Sequence, residues 1–156
     1  MDTLSQSQVL EILDRVMKDI TNRIVTIQSS DKTPPLCPND SCTVYTTFEG
    51  GYRATLTLCV DSNLLLHLAQ TSMQEENVSA EDLEDFAKEY FNVICGQVAA
   101  RLFQAAHISS RFQIPTFETG CYTTEETSPE LVLNYTSNCN EGAELIHKAP
   151  SEDQNI

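Results

Sequence analysis

The sequence predicts an α+β domain in which long helices pack on an antiparallel sheet of about five to six strands. Three observations lead there. Residues 79–106 read as one long amphipathic helix, and the runs 43–49 and 52–60 meet at Gly50-Gly51 as a hairpin does. The order of elements, α-β-β-α-α-β-β-β, lacks the alternation that a parallel βαβ sheet requires.

Residues 5–24 form the first helix of this reading. Val9, Leu10, Leu13, Val16, Met17, Ile20 and Ile24 make its apolar stripe. Residues 24–28 can run on as a short strand, and 29–42, with three prolines and several Ser, Asp and Asn, read as a loop. In the second hairpin strand Ala54, Leu56, Leu58 and Val60 alternate with polar or small residues, the pattern of a half-buried strand. Ser62 is placed to cap a helix through about Met73, with Leu64, Leu65, Leu68 and Ala69 inward. A short acidic connection over 74–78 leads into the long helix. There Ser79, with Asp82 three residues on, has the shape of a capping box. Leu83, Phe86, Ala87, Tyr90, Phe91, Ile94, Cys95, Val98 and Leu102 recur at steps of three and four, so that one face is apolar throughout. Residues 111–115, 117–124 and 130–135 are strand-like, punctuated by Gly120 and by Thr-Ser-Pro at 127–129. One domain over 1–136 is therefore expected. A polar, acidic tail over 137–156 follows it, with disorder expected in its last 15 or so residues.

Composition excludes more than it identifies. The 156 residues suffice for one domain with a sizeable core, and 40% are apolar. Nine basic against 23 acidic residues give a net charge of −14, which argues against nucleic acid and against anionic membranes as partners. No run approaches the length of a membrane span, and the opening MDTLSQS lacks the basic residues of a secretory leader. A cytoplasmic protein is the expectation, and three Asn-x-Ser/Thr sequons then carry little meaning. Of the six cysteines, Cys95 and Cys59 sit in apolar patterns as small hydrophobes. Cys37 and Cys42 flank a loop, but no second pair and no neighbouring histidine completes a zinc spacing. His67, His107 and His147 form no catalytic spacing with one another and read as structural or surface residues.

The other face of the long helix carries Asp85, Glu89, Asn92 and Gly96. At about 100° per residue these four fall within roughly 60° of arc, turned away from the apolar stripe. A carboxylate and a carboxamide three residues apart can reach into a partner together. Glycine inside a helix costs about 1 kcal/mol relative to alanine. Taken alone, the quartet describes a solvated face with one incidental glycine. Asp19 and Asn22 on the first helix repeat the carboxylate–amide spacing, but Arg15 stands where Asp85 would be and Thr26 where Gly96 would be. That pair reads as a decoy.

The run Asp85-x-x-x-Glu89-x-x-Asn92, followed after 22 residues by Pro115, resembles the signature of the CheX/CheC/FliY chemotaxis phosphatases. Asn92-Val-Ile-Cys-Gly96 is similar to the family's Asn-x-x-x-Gly continuation, and Ile114-Pro115 with Gly120 falls where the family has Pro-x-x-x-x-Gly. Residues 5–125 align in outline and 50–125 more closely. With one signature rather than two, the chain resembles the single-site CheX arrangement. What the resemblance implies is hydrolysis of the aspartyl phosphate on a CheY-like response regulator. The receiver would supply Mg²⁺ and the phosphorylated carboxylate, and the protein no cofactor of its own. An amide offers both donor and acceptor and stays neutral near phosphate, which gives Asn92 the water-orienting role. Glu89 would pair with the receiver's lysine, Gly96 would admit a close backbone approach, Asp85 would touch the partner from the edge, and Pro115 would be structural. A homodimer through an edge strand from residues 108–136 is a further expectation of the resemblance. The rival reading is a module that docks on a receiver without hydrolysing anything. A second rival is a metal or redox protein using Cys37 and Cys42.

Overall fold

A computed structural model of the chain describes residues 5–30, 40–120 and 130–149. The elements follow in order: α1 (Gln6–Thr21), β1 (Ile27–Ser29), β2 (Ser41–Gly50), β3 (Ala54–Asp61), α2 (Ser62–Met73), α3 (Ala80–Ala106), β4 (Ser110–Phe112), β5 (Thr116–Thr119), β6 (Glu130–Ser137) and β7 (Gly142–Lys148). The fold is α+β, as the order of elements indicated. Its seven-stranded sheet is antiparallel throughout and runs β1-β6-β7-β3-β2-β4, with β5 also paired to β2.

The alternation in β3 does what it promised. Ala54, Leu56, Leu58 and Val60 are all buried. Their cross-strand partners Val44 and Cys42 on β2 and Leu145 and Ala143 on β7 share the same face and are buried with them. Leu13, Val16 and Met17 of α1, Leu64, Leu65 and Leu68 of α2, and the stripe of α3 close over that face as one core. Phe91, Ile94, Cys95 and Leu102 are fully buried, each of the larger side chains stabilising the fold by about 1.5–3 kcal/mol. Cys95 is therefore a core residue, and burial raises its thiol far above the usual cysteine range.

Two helix starts differ in detail from the expectation. Ser79 caps α3 by accepting the Asp82 N–H at 3.1 Å, but the full reciprocal capping box is at Ser5 and Gln8, where glutamine is long enough to reach back to the Ser5 N–H at 2.9 Å. Asp61, not Ser62, caps α2, its carboxylate accepting the Asn63 N–H at 2.9 Å. The hairpin turn holds Gly50 at φ +104°, where a Cβ would meet the Ser109 carbonyl oxygen at 2.9 Å, so both conformation and space demand glycine.

The larger correction concerns the C-terminal part. Residues 142–148, which composition places in an acidic tail, form β7 and lie inside the sheet between β3 and β6. Gly-Ala-Glu-Leu-Ile-His-Lys alternates weakly, and only its two neighbouring strands supply the burial that makes it a strand: Ala143 and Leu145 are each 1% exposed. Of the expected edge range 108–136, β6 is interior, because β1 pairs outside it, whereas β4 and β5 do lie at the sheet's end beside β2.

Candidate functional site

Burying the apolar stripe of α3 leaves its opposite stripe in solvent. Asp85, Glu89 and Asn92 are exposed there, and Gly96 is half-buried. Their helix is tied to α1 along its length. Arg101 donates to Asp19 of α1 at 2.6 Å, the Tyr90 and Thr21 hydroxyls are hydrogen-bonded, and Phe86 stacks on Tyr90 at 5.8 Å. Burial pushes the Tyr90 phenol up to about 12. The exposed stripe thus projects from a rigid element, the condition for side chains to act in fixed register.

Pro115 reaches the helix through a bulge. β4 and β5 both pair with β2, Phe112 opposite Phe48 and Thr116 opposite Tyr45. Three residues, 113–115, therefore lie opposite only two, Thr46 and Thr47, so the strand carries one extra residue. Thr46 and Thr47 secure it: the Thr46 hydroxyl donates to the Gln113 carbonyl at 2.6 Å, and the Gln113 N–H donates to the Thr47 carbonyl at 3.3 Å. Proline belongs at such a place because it has no N–H to contribute to a ladder. Pro115 is buried, and its neighbour Ile114 is turned outward, 87% exposed.

Asp85, Lys88, Glu89, Asn92, Ile114 and Pro115 line one open depression. Four of the five residues singled out from the sequence are brought together in it, although 22 residues separate Asn92 from Pro115. Gly96 is the exception. It lies a turn further along the helix, and a Cβ built there would meet nothing within 4 Å, so its surface is open to an incoming chain. Sequence reasoning does not mark Lys88 and Ile114 as site residues. Lys88 sits between Asp85 and Glu89 and pairs with Glu84 at 3.0 Å; its place one residue before Glu89 is the available signal. Nothing in the local pattern foretells the exposure of Ile114.

The chemistry of this lining is limited and informative. It holds two carboxylates, one ammonium and one carboxamide, and none of its residues is a Ser, Thr, Cys or His that could serve as nucleophile or imidazole base. Its shallow, open form suits a protein surface better than an enclosed small molecule. The decoy on α1 has its own structural uses: Asp19 accepts from Arg101, and Asn22 caps α1 while its side-chain oxygen accepts the Ile27 N–H at 2.8 Å. Cys37 lies outside the described residues, and Cys42 is buried in β2.

The family model for the chemotaxis phosphatase CheX matches residues 42–134, more than half the chain and the whole span from Asp85 to Pro115. The chain belongs to the CheX family. CheX from Vibrio vulnificus is similar at TM-score 0.74 and 14% identity, over 94% of this chain and 99% of that one. The CheX–CheY–BeF₃–Mg²⁺ complex from Borrelia burgdorferi contains a chain similar at TM-score 0.72 and 15% identity, over 92% of this chain and 98% of that one. Thermotoga maritima FliY follows at TM-score 0.62 and 14% identity, with 97% and 93% covered. Identities this low show a common fold. No curated protein matches the chain by sequence. For a CheX-family domain, the described structure also has no helix long and apolar enough to cross a membrane.

Proposed function

We propose that this CheX-family protein dephosphorylates the aspartyl phosphate of a CheY-like response regulator, using the depression on α3. The observation that carries the reading is the lining itself: carboxylates and a carboxamide on one rigid stripe beside the Pro115 bulge, with no Ser, Thr, Cys or His among them. Such a surface can dock on a partner and orient water. The Borrelia burgdorferi relative was solved with CheY, BeF₃ and Mg²⁺, which supports a receiver as the partner and the receiver as the holder of Mg²⁺. Asn92 orients the attacking water through its amide. The water oxygen bonds to phosphorus as the bond to the aspartyl oxygen breaks, releasing inorganic phosphate and restoring the receiver carboxylate. Glu89 anchors the complex on the receiver's lysine, and Asp85 meets the partner at the rim.

The deciding experiment mixes the protein with a phosphorylated CheY-type receiver and Mg²⁺ and follows loss of the phosphoryl group. Acceleration over the receiver alone is expected, with p-nitrophenyl phosphate left untouched. Binding without acceleration would make the protein a docking module instead.

Gly96→Ala tests the close-approach role. The open surface and alanine's higher helix propensity predict a gain of up to about 1 kcal/mol in the free protein, read by urea denaturation. Receiver binding should weaken, because the methyl group stands where the partner's backbone passes. Unchanged affinity would end that assignment. A homodimer through the exposed β4–β5 end of the sheet belongs to the same proposal. Sedimentation at micromolar concentration showing only the 17.4 kDa species would remove it.

A further inference from the structure

The end of the sheet where β3 passes into α2 gathers a second group of chemically active side chains. Val60 pairs with Ala143, so the β6–β7 turn lies beside the point where α2 begins. His67, a turn and a half into α2, meets that turn. Its Nδ1 lies 3.1 and 3.0 Å from the two carboxylate oxygens of Glu141. One ligand atom each from His67, Cys139 and Glu141 lie within 4.8 Å of one another. Glu141 is buried, while the cysteine side is exposed. None of these residues lines the depression on α3.

The turn is organised around the Ser137 hydroxyl. The Ser137 hydroxyl accepts the N–H groups of both Cys139 and Glu141, at 3.2 and 3.1 Å, and donates to Glu141 Oε1 at 3.3 Å. Asn140, between them, is in the left-handed region at φ 62°. One hydroxyl thus fixes the backbone of both residues and orients the carboxylate, the arrangement that supporting groups make around metal ligands. A simple His–Glu ion pair would need neither the thiol nor this turn.

We infer that His67 Nδ1, Cys139 Sγ and a Glu141 carboxylate oxygen form a binding site for a divalent transition metal, with Zn²⁺ the best match. Nitrogen, sulfur and oxygen together suit a borderline-soft ion rather than Mg²⁺ or Ca²⁺. Ligand atoms around tetrahedral zinc stand about 3.3–3.6 Å apart, so the cluster needs only side-chain adjustment to close on the ion. The thiol proton and any proton shared between His67 and Glu141 leave for solvent on binding, and affinity rises with pH accordingly. The fourth position falls to water, on the exposed side. The ion would clamp α2 to the β6–β7 turn.

The test titrates the chelator-stripped full-length chain with ZnCl₂ against a chromophoric competitor. One ion per chain is expected, with a Kd of about 1 µM or tighter. Cys139→Ser and His67→Gln should each weaken binding about tenfold or more, whereas Cys37→Ser should leave it unchanged. With Co²⁺ as probe, a thiolate-to-metal charge-transfer band should appear in the wild type and vanish in Cys139→Ser. Both substituted side chains are partly or fully exposed, so circular dichroism should show folded variants. Absence of stoichiometric binding, or retained affinity in Cys139→Ser, overturns the site.

Discussion

Asn92→Ala is expected to slow receiver dephosphorylation by about a hundredfold or more while leaving receiver affinity nearly unchanged. A water-orienting amide acts only as the transition state forms, and removing one such preorganised group costs about 10²–10³ in rate. Stability should move by no more than about 0.5 kcal/mol, because Asn92 is exposed on α3. Single-turnover decay of the phosphorylated receiver, with affinity measured beside it, reads both quantities. Full activity in the variant would defeat the mechanism, whatever the fold.

Glu89→Ala should produce the complementary result. Loss of a charge partner for the receiver's lysine is expected to weaken docking about tenfold or more, mainly through faster dissociation, and to make the remaining affinity less sensitive to salt. The rate within a saturated complex should change less than in Asn92→Ala. Fluorescence titration of the phosphorylated receiver at two salt concentrations measures the effect. If Glu89→Ala binds as tightly as the wild type and is equally salt-sensitive, the anchoring role is lost. The two variants together separate a catalytic surface from an ordinary solvated face, for which neither substitution would matter.

Both side chains are legible in the amino-acid sequence, and so is the helix that bears them. Period-3.6 patterning is a local property, and a stripe as long as Leu83 to Leu102 leaves little freedom over which face turns inward. The decoy is separable for a similar reason: Arg15 and Thr26 break its register, and in the fold Asp19 and Asn22 are occupied in pairing and capping.

Other features lie beyond local pattern. β7 carries a weakly alternating sequence with one acidic and one basic residue, and its strand state depends on β3 and β6 arriving on either side. The Pro115 bulge exists because β4 and β5 both pair with β2 with one residue too many between them, a counting relation between distant segments. Ile114 is exposed as a consequence. His67, Cys139 and Glu141 lie more than 70 residues apart at their widest, and no spacing along the chain marks them as a set.

By itself the sequence determined the helices, the hairpin, the inward faces and the exposed quartet Asp85, Glu89, Asn92 and Gly96, because each follows from periodicity, capping and turn chemistry within a few residues. Tertiary structure alone decided which segments became neighbours: Pro115 against α3, β7 within the sheet, and the β6–β7 turn against α2. Those meetings depend on strand pairing across long loops, where burial by a distant partner outweighs the weak preference of the segment itself.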